Sequence, residues 1–223
     1  MRKALGLVLL WGLVAAAAPL VIVNEFGQGR AGFGEWVELL VVGEGPGTFV
    51  DLRGWTIQDY QGDSRGGVYI KFKDDSEFWT QVPAGTVIVI YNAGDVPNLP
   101  VHFPKDDLDP EDFLLVIPGK TGDYLEVLRW EGLANTGDCI YVVNARGEVV
   151  FRLSYGQRQC GGVQLGNVDR GQAAWCLGGS LEGILIPENW KVGPDAPGGS
   201  TPGAPNSEEN AAWMTYLRTP PEK

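Results

Sequence analysis

Histidine is nearly absent from this chain. The single histidine, His102, lies in a proline-bracketed segment with no serine or cysteine close to it in sequence. Serine and cysteine nucleophiles need a base that is neutral near pH 7, and histidine usually supplies it. Zinc sites are mostly built from His and Cys, and the three cysteines include no Cys-x-x-Cys pair. The sequence therefore predicts no catalytic residue and no zinc site.

Basic residues are also scarce. Seventeen Lys and Arg stand against 28 Asp and Glu, which gives a net charge of −11 at pH 7. The basic residues are scattered and form no stripe that could overcome repulsion from a phosphate backbone. We expect no nucleic-acid partner.

The scarcity of histidine does not argue against catalysis by a pair of carboxylates. A glycoside hydrolase needs two carboxylates on either side of a cleft, and the sequence favours no pair for that role. Glu25 and Glu38 form a candidate charged pair, but paired charges are more often architectural. We expect both to bond backbone or arginine groups near one end of the fold, and we predict that the protein is not an enzyme.

Long apolar runs are confined to the N-terminus. Two basic residues precede an unbroken apolar run at 4–14 and the alanines at 15–17, which is the layout of a secretory signal cut after Ala17. The alternative is an uncleaved anchor, because residues 4–23 contain no polar side chain and about 20 such residues span a bilayer. Pro19, where an anchor would have a basic patch, favours cleavage. We therefore expect a secreted, periplasmic or cell-surface protein, with no membrane span once the signal is removed.

Export would place the cysteines in an oxidising compartment. Three cysteines allow one disulfide and leave one thiol. We predict the bond Cys160–Cys176, since both residues lie in glycine-rich loop sequence while Cys139 lies in a strand pattern. Closing this loop of about 17 residues would contribute about 3 kcal/mol.

Turn residues are abundant. Thirty-two Gly and 15 Pro punctuate the chain, which disfavours long helices and is typical of short strands joined by turns. The clearest local pattern is a hairpin over 137–155, and residues 92–110 form a long polar loop.

We predict a signal peptide at 1–17, one β domain at 18–206 and a tail at 207–223. Ser207 would cap a short helix there, with Trp213, Tyr216 and Leu217 on one face.

Five segments in order resemble the lamin-tail domain family. They are Val21-Ile22-Val23-Asn24-Glu25, Glu35-Trp36-Val37-Glu38-Leu39, Asp51-Leu52-Arg53-Gly54-Trp55, Leu133-Ala134-Asn135-Thr136-Gly137-Asp138 with the following hairpin, and Thr201-Pro202-Gly203-Ala204-Pro205-Asn206. The resemblance implies an all-β, immunoglobulin-like β-sandwich that acts as a scaffold or interaction module. This chain is longer than the family's core, so residues 62–82 and 93–125 read as insertions, and residues 156–177 match poorly.

The segment after His102 is rich in carboxylates, which repel one another unless they are solvated or bridged by a cation. Calcium suits oxygen-rich loops outside the cell, although the spacing is not that of an EF-hand. The alternative is a solvated acidic loop. The predicted calcium ligands are Asp106, Asp107, Asp109, Glu111 and Asp112.

Several tryptophans lie in loop or strand-edge sequence, where an exposed indole could stack on a sugar ring or enter a partner protein. Trp175 and Trp190 are the candidate ligand-binding residues, and core packing is the alternative.

The sequence predicts an exported, non-enzymatic structural or binding module of lamin-tail type, whose partner is a protein or envelope component. The rival prediction is a secreted carbohydrate-binding β-sandwich, calcium-dependent or, less favoured, a glycoside hydrolase.

Overall fold

The computed structural model describes residues 20–30, 34–59 and 67–220 of the chain. The predicted signal peptide at 1–17 lies outside these residues. Within them, no helix is long and apolar enough to cross a membrane.

Two six-stranded sheets form the body of the described chain. The first sheet has, in spatial order, β14 (Trp190–Pro194), β13 (Gln172–Cys176), β1 (Val21–Gly27), β2 (Trp36–Val41), β7 (Val87–Asn92) and β8 (Leu114–Gly119). The second has β12 (Val163–Gln164), β11 (Val149–Ser154), β10 (Cys139–Val143), β4 (Thr56–Gln58), β5 (Val68–Phe72) and β9 (Leu125–Trp130). A separate ribbon pairs β3 (Phe49–Val50) with β6 (Val82–Pro83), and the helices are α1 (Leu181–Ile184) and α2 (Glu208–Arg218).

The sheets pack face to face, with β1 against β10 and β11. Most neighbouring strands are antiparallel, while β7–β8 and β11–β12 are parallel. The aromatic pair Phe26 and Tyr155 joins the sheets, with ring centroids 5.2 Å apart. The predicted all-β sandwich with a short C-terminal helix is confirmed.

Strand β2 is buried along its whole length, although its sequence alternates. Val37 and Leu39 lie on one face of the first sheet and Trp36 and Glu38 on the other, and Trp36 is part of the hydrophobic core as well. Residues 195–206, which we call the strap, cover that face near Glu38, because Gly203 N–H donates to the Glu38 carboxylate. The strap therefore turns a half-exposed sheet face into a second buried layer.

Helix α2 begins as predicted, because Ser207 Oγ accepts a hydrogen bond from Asn210 N–H at 2.9 Å. Its buried apolar side chains are Trp213, Met214 and Leu217. The prediction placed Tyr216 on this face, but Tyr216 is 58% exposed. Helical geometry explains the error, since the stripe that includes positions 213 and 217 also contains 214 and 210.

The two predicted insertions supply strands. The first contains β5, which lies between β4 and β9, and the second contains β8 at one edge of the first sheet. The poorly matching region at 156–177 contains β13, which pairs directly with β1. This region therefore contributes to the centre of the fold.

The predicted disulfide Cys160–Cys176 is wrong. Cys139 bonds to Cys160, and Cys176 is a buried free thiol. Cys139 opens β10, and the chain after β11 folds back through Gly162 against the backbone of Arg152, which brings Cys160 to the same sheet. Cys176 lies in the other sheet and burial raises its pKa to about 12, so its thiol is unreactive.

We expect the double variant Cys139→Ser/Cys160→Ser to lose about 3 kcal/mol of unfolding free energy, because the bond closes a long loop in the unfolded chain. Urea unfolding of the variant and of the reduced wild-type protein should give the same lowered midpoint. An unchanged midpoint after reduction would contradict the pairing.

Candidate functional site

The predicted calcium ligands do not converge. Asp107 and Asp109 accept the backbone N–H groups of Asp109 and Glu111, at 2.9 and 3.0 Å. Asp112 likewise accepts Leu114 N–H at 2.9 Å, and Asp106 accepts the Tyr91 hydroxyl at 2.6 Å. In the part of the chain that the structure describes, no three His, Cys, Asp or Glu side chains are grouped to hold a metal ion.

The two candidate ligand-binding tryptophans are buried, at 4% exposure for Trp175 and 8% for Trp190. Gly193 lies directly under the Trp175 indole, and Lys191 Nζ lies 5.5 Å from its ring centroid. Trp190 Nε1 donates to the Ile184 carbonyl at 2.8 Å. Neither indole offers a free face to a sugar, so the prediction of a stacking site at these residues is wrong. Trp175 belongs to β13 and Trp190 to β14, and these two strands pair with each other.

The most unusual polar feature is a pair of buried carboxylates. Glu25 and Glu38 are directly opposite each other on β1 and β2, next to an irregularity in the register, and both are fully buried. Glu25 Oε1 accepts Thr201 N–H at 2.9 Å, and Glu38 Oε2 accepts Gly203 N–H at 2.7 Å. The expectation that this pair bonds backbone groups is confirmed, and the donors belong to the strap.

Burial raises the pKa of both carboxyl groups, and the charge of Glu38 raises that of Glu25 further. Glu38 accepts a short hydrogen bond at each oxygen, from Asn24 Nδ2 and Gly203 N at 2.7 Å each. Both contacts favour its ionised form. Among the described residues, the one hydrogen bond to Glu25 Oε2 is a long one, from Thr201 Oγ1 at 3.4 Å. We infer that Glu25 holds the proton when the pair carries a single charge.

Three asparagines extend this network to helix α2. Asn24 Oδ1 accepts from Asn210 Nδ2 at 3.1 Å, and Asn210 Oδ1 accepts from the backbone N–H of Asn206 at 3.2 Å. Asn206 Nδ2 donates to the Asn24 carbonyl at 3.2 Å. Asn24 Nδ2 also donates to Glu38, and Asn210 Nδ2 also donates to the Gly178 carbonyl, so rotating either of these two amides would oppose like groups at both ends. The network therefore fixes the strap and α2 on the first sheet.

His102 lies in a second polar set at the start of the strap. Its Nε2 is 2.8 Å from Ser200 Oγ, and Ser200 Oγ donates to Asp195 Oδ1 at 2.6 Å. Asp195 Oδ2 accepts Trp36 Nε1–H at 3.0 Å. The serine has one hydrogen and gives it to the carboxylate, so His102 Nε2 is the donor to Ser200.

This order differs from that of a catalytic triad, in which histidine takes the serine proton and the carboxylate holds histidine Nδ1. Here His102 Nδ1 is buried and has no hydrogen-bond partner among the described residues, and the carboxylate binds the serine. Ser200 is only 2% exposed. The set holds the strap to β2 and to the loop that carries His102.

Sequence reasoning identified Glu25 and Glu38 but not Asp195, Ser200 or Asn210. The sequence feature that could have located the strap is the closing motif Thr201–Asn206, because the side chains of Thr201 and Asn206 both hydrogen-bond to β1. Nothing local indicated that His102 would meet Ser200, since 98 positions separate them. No protein-family model, no curated protein and no solved structure matches the chain.

Proposed function

We propose that the protein is an exported, non-enzymatic structural or binding module of lamin-tail type that interacts with a protein or envelope component. The observation that carries this proposal is the structural role of Glu25 and Glu38. These fully buried carboxylates hold the strap through Thr201 and Gly203. A buried pair bonded to backbone has an architectural role and cannot reach a substrate.

The contacts among the resembling segments support the family assignment. Asn24 and Glu25 come from the first segment, Glu38 from the second, and Thr201 and Asn206 from the closing one. Distant motifs that bond directly to one another are expected of one architectural unit. The disulfide Cys139–Cys160 supports export, because such bonds persist in oxidising compartments.

Exposed apolar side chains offer surface for a partner. Leu185 and Ile186 are adjacent and are 50% and 45% exposed, in the connection between α1 and β14. Adjacent exposed aliphatic residues are candidates for contact with another protein. They are also suitable for substitution, since neither belongs to the core.

Affinity purification of residues 18–223 from the native envelope, with cross-linking, tests the proposal. The matched bait carries Leu185→Ser and Ile186→Ser. We expect an envelope protein to be captured by the first bait and at least fivefold less by the second. Capture of a polysaccharide equally by both baits, or hydrolysis of it, would overturn the proposal in favour of a carbohydrate-directed function.

A further inference from the structure

Four buried side-chain oxygens accept no hydrogen bond in the described part of the chain. Thr86 Oγ1 is one of them, and the other three, Gln28 Oε1, Asp59 Oδ1 and Asn135 Oδ1, belong to one region. Gln28 is fully buried and Asp59 is 6% exposed. An unpaired buried acceptor typically costs about 1–3 kcal/mol. All three atoms are acceptors, so what the region lacks is a donor or a cation.

These oxygens belong to residues around the Tyr155 hydroxyl. Gln28 Nε2 donates to that hydroxyl, and the hydroxyl donates to the carbonyl of Ala134, beside Asn135, at 2.8 Å. The N–H of Ala134 donates in turn to Asp138 Oδ2 at 2.8 Å. Asp59 lies beside Asp138, because Asp59 directly follows β4, whose Gln58 pairs with Tyr141 of β10, and Asp138 directly precedes β10. The charges of Asp138, Glu35 and Asp59 each raise the pKa of Tyr155, after the larger effect of burial.

The orientation of the Gln28 amide is fixed by this chain of bonds. Tyr155 has a single hydroxyl hydrogen, and the Ala134 carbonyl takes it. The Gln28 atom facing the hydroxyl must then be the NH₂ group, so Oε1 remains the free acceptor. Rotating the amide would lose the bond to Tyr155 and would not satisfy Oε1.

Negative charge is concentrated at the same place. Burial, followed by the charge of Asp138, raises the pKa of Asp59 to about 6. Burial also raises the pKa of Asp138, although two backbone hydrogen bonds and the charge of Arg158 act in the opposite direction. Among the described residues, Asp138 accepts hydrogen bonds from the backbone N–H groups of Ala134 and Cys139, one at each oxygen, which leaves lone pairs on both.

We propose that Asp59 Oδ1, Gln28 Oε1 and the Asp138 carboxylate bind one calcium ion. The donors are all oxygens, as Ca²⁺ prefers, and two carboxylates match its charge. Ca²⁺ accepts six to eight ligands in flexible geometry, so Asn135 Oδ1 and water complete the shell, whereas Mg²⁺ demands a regular octahedron. The site needs only two acidic side chains, and it is separate from the acidic segment 106–112.

Terbium luminescence and thermal unfolding of residues 18–223 test this site. Tb³⁺ replaces Ca²⁺ and is sensitised by a nearby tyrosine, here Tyr155. We expect Tb³⁺ emission that Ca²⁺ displaces. We also expect the melting temperature to be about 3–6 °C higher in 5 mM CaCl₂ than in EDTA, for a dissociation constant in the extracellular range of about 0.1–1 mM.

The decisive variant is Asp59→Asn. Its amide keeps an acceptor for Gly67 N–H, which Asp59 Oδ2 now accepts, and places NH₂ where Oδ1 was. It should therefore fold without calcium, and bind Tb³⁺ at least tenfold more weakly. The matched control Asp107→Asn/Asp109→Asn should bind as the wild type does. Absence of Ca²⁺-sensitive emission from the wild type, or loss of binding in the control but not in Asp59→Asn, would overturn the proposal.

Discussion

Replacing Trp36 by alanine is expected to lower the free energy of unfolding by about 3–5 kcal/mol. The indole is fully buried and packs edge-on against Phe103, with centroids 5.8 Å apart. It also lies so close to Gly27 that a side chain there would overlap it. The truncation would leave a cavity between β2 and the strap, and it would remove the donor to the buried Asp195 carboxylate. Urea unfolding followed by far-UV circular dichroism measures the loss.

Two further variants separate packing from hydrogen bonding at this position. Trp36→Phe keeps much of the ring volume but leaves Asp195 Oδ2 without a donor, so we expect a loss of about 1–3 kcal/mol. Tyr216→Ala removes an exposed aromatic side chain from α2 and should change stability by less than about 0.5 kcal/mol. If Trp36→Ala proved as mild as Tyr216→Ala, the strap would not be packed on β2 as described.

Local sequence signals predicted the parts of the fold that local physics decides. The hairpin of β10 and β11 follows from alternation on both sides of a tight Ala145-Arg146-Gly147 turn. Helix α2 follows from the Ser207 cap. The two-residue period of a strand likewise places Val37 and Trp36 of β2 on opposite faces. None of these features depends on where distant segments meet.

The errors concern properties that distant segments decide. Cys139 meets Cys160 because the chain doubles back after β11, and no pattern in the glycine-rich sequence encodes that path. Trp175 lies in sequence that reads as a loop, yet the pairing of β13 with β1 and β14 buries it. The backbone donors to Glu25 and Glu38 come from the strap, more than 160 positions away. The sequence indicated the two carboxylates as a candidate pair, but it did not indicate their hydrogen-bond donors in the strap.

The buried carboxyl groups predict that stability rises as the pH falls from 8 to about 5. Burial is the first cause of a raised pKa in Glu25, Glu38 and Glu35, and for Glu35 the raised value is about 7. Between the usual pKa of about 4.5 and these values, the folded protein binds more protons than the unfolded chain. Acidification in this window therefore favours folding, and the gain is lost as the pH rises through 7. Melting temperatures across this range measure the effect.

Substituting each member of the pair should give opposite results. Glu25→Gln mimics the protonated acid, because its carbonyl still accepts Thr201 N–H and its NH₂ faces Thr201 Oγ1. We expect it to equal the wild type near pH 5.5, to exceed it at pH 8, and to show a flatter pH profile. Glu38→Gln removes the same charge but turns one of two acceptors into a donor that faces Asn24 Nδ2 or Gly203 N–H. It should lose about 1–3 kcal/mol even near pH 5.5.

The contrast between the two variants tests where the proton is held. Equal losses for both at low pH would show that Glu25 is not the protonated member. A stable Glu38→Gln beside a destabilised Glu25→Gln would place the proton on Glu38 instead. The expected order follows from hydrogen bonding alone, since Glu38 accepts two short bonds from nitrogen donors and Glu25 accepts one. A carboxylate that accepts a short bond at each oxygen keeps its charge more readily than its neighbour, so Glu25 holds the proton when the pair carries a single charge.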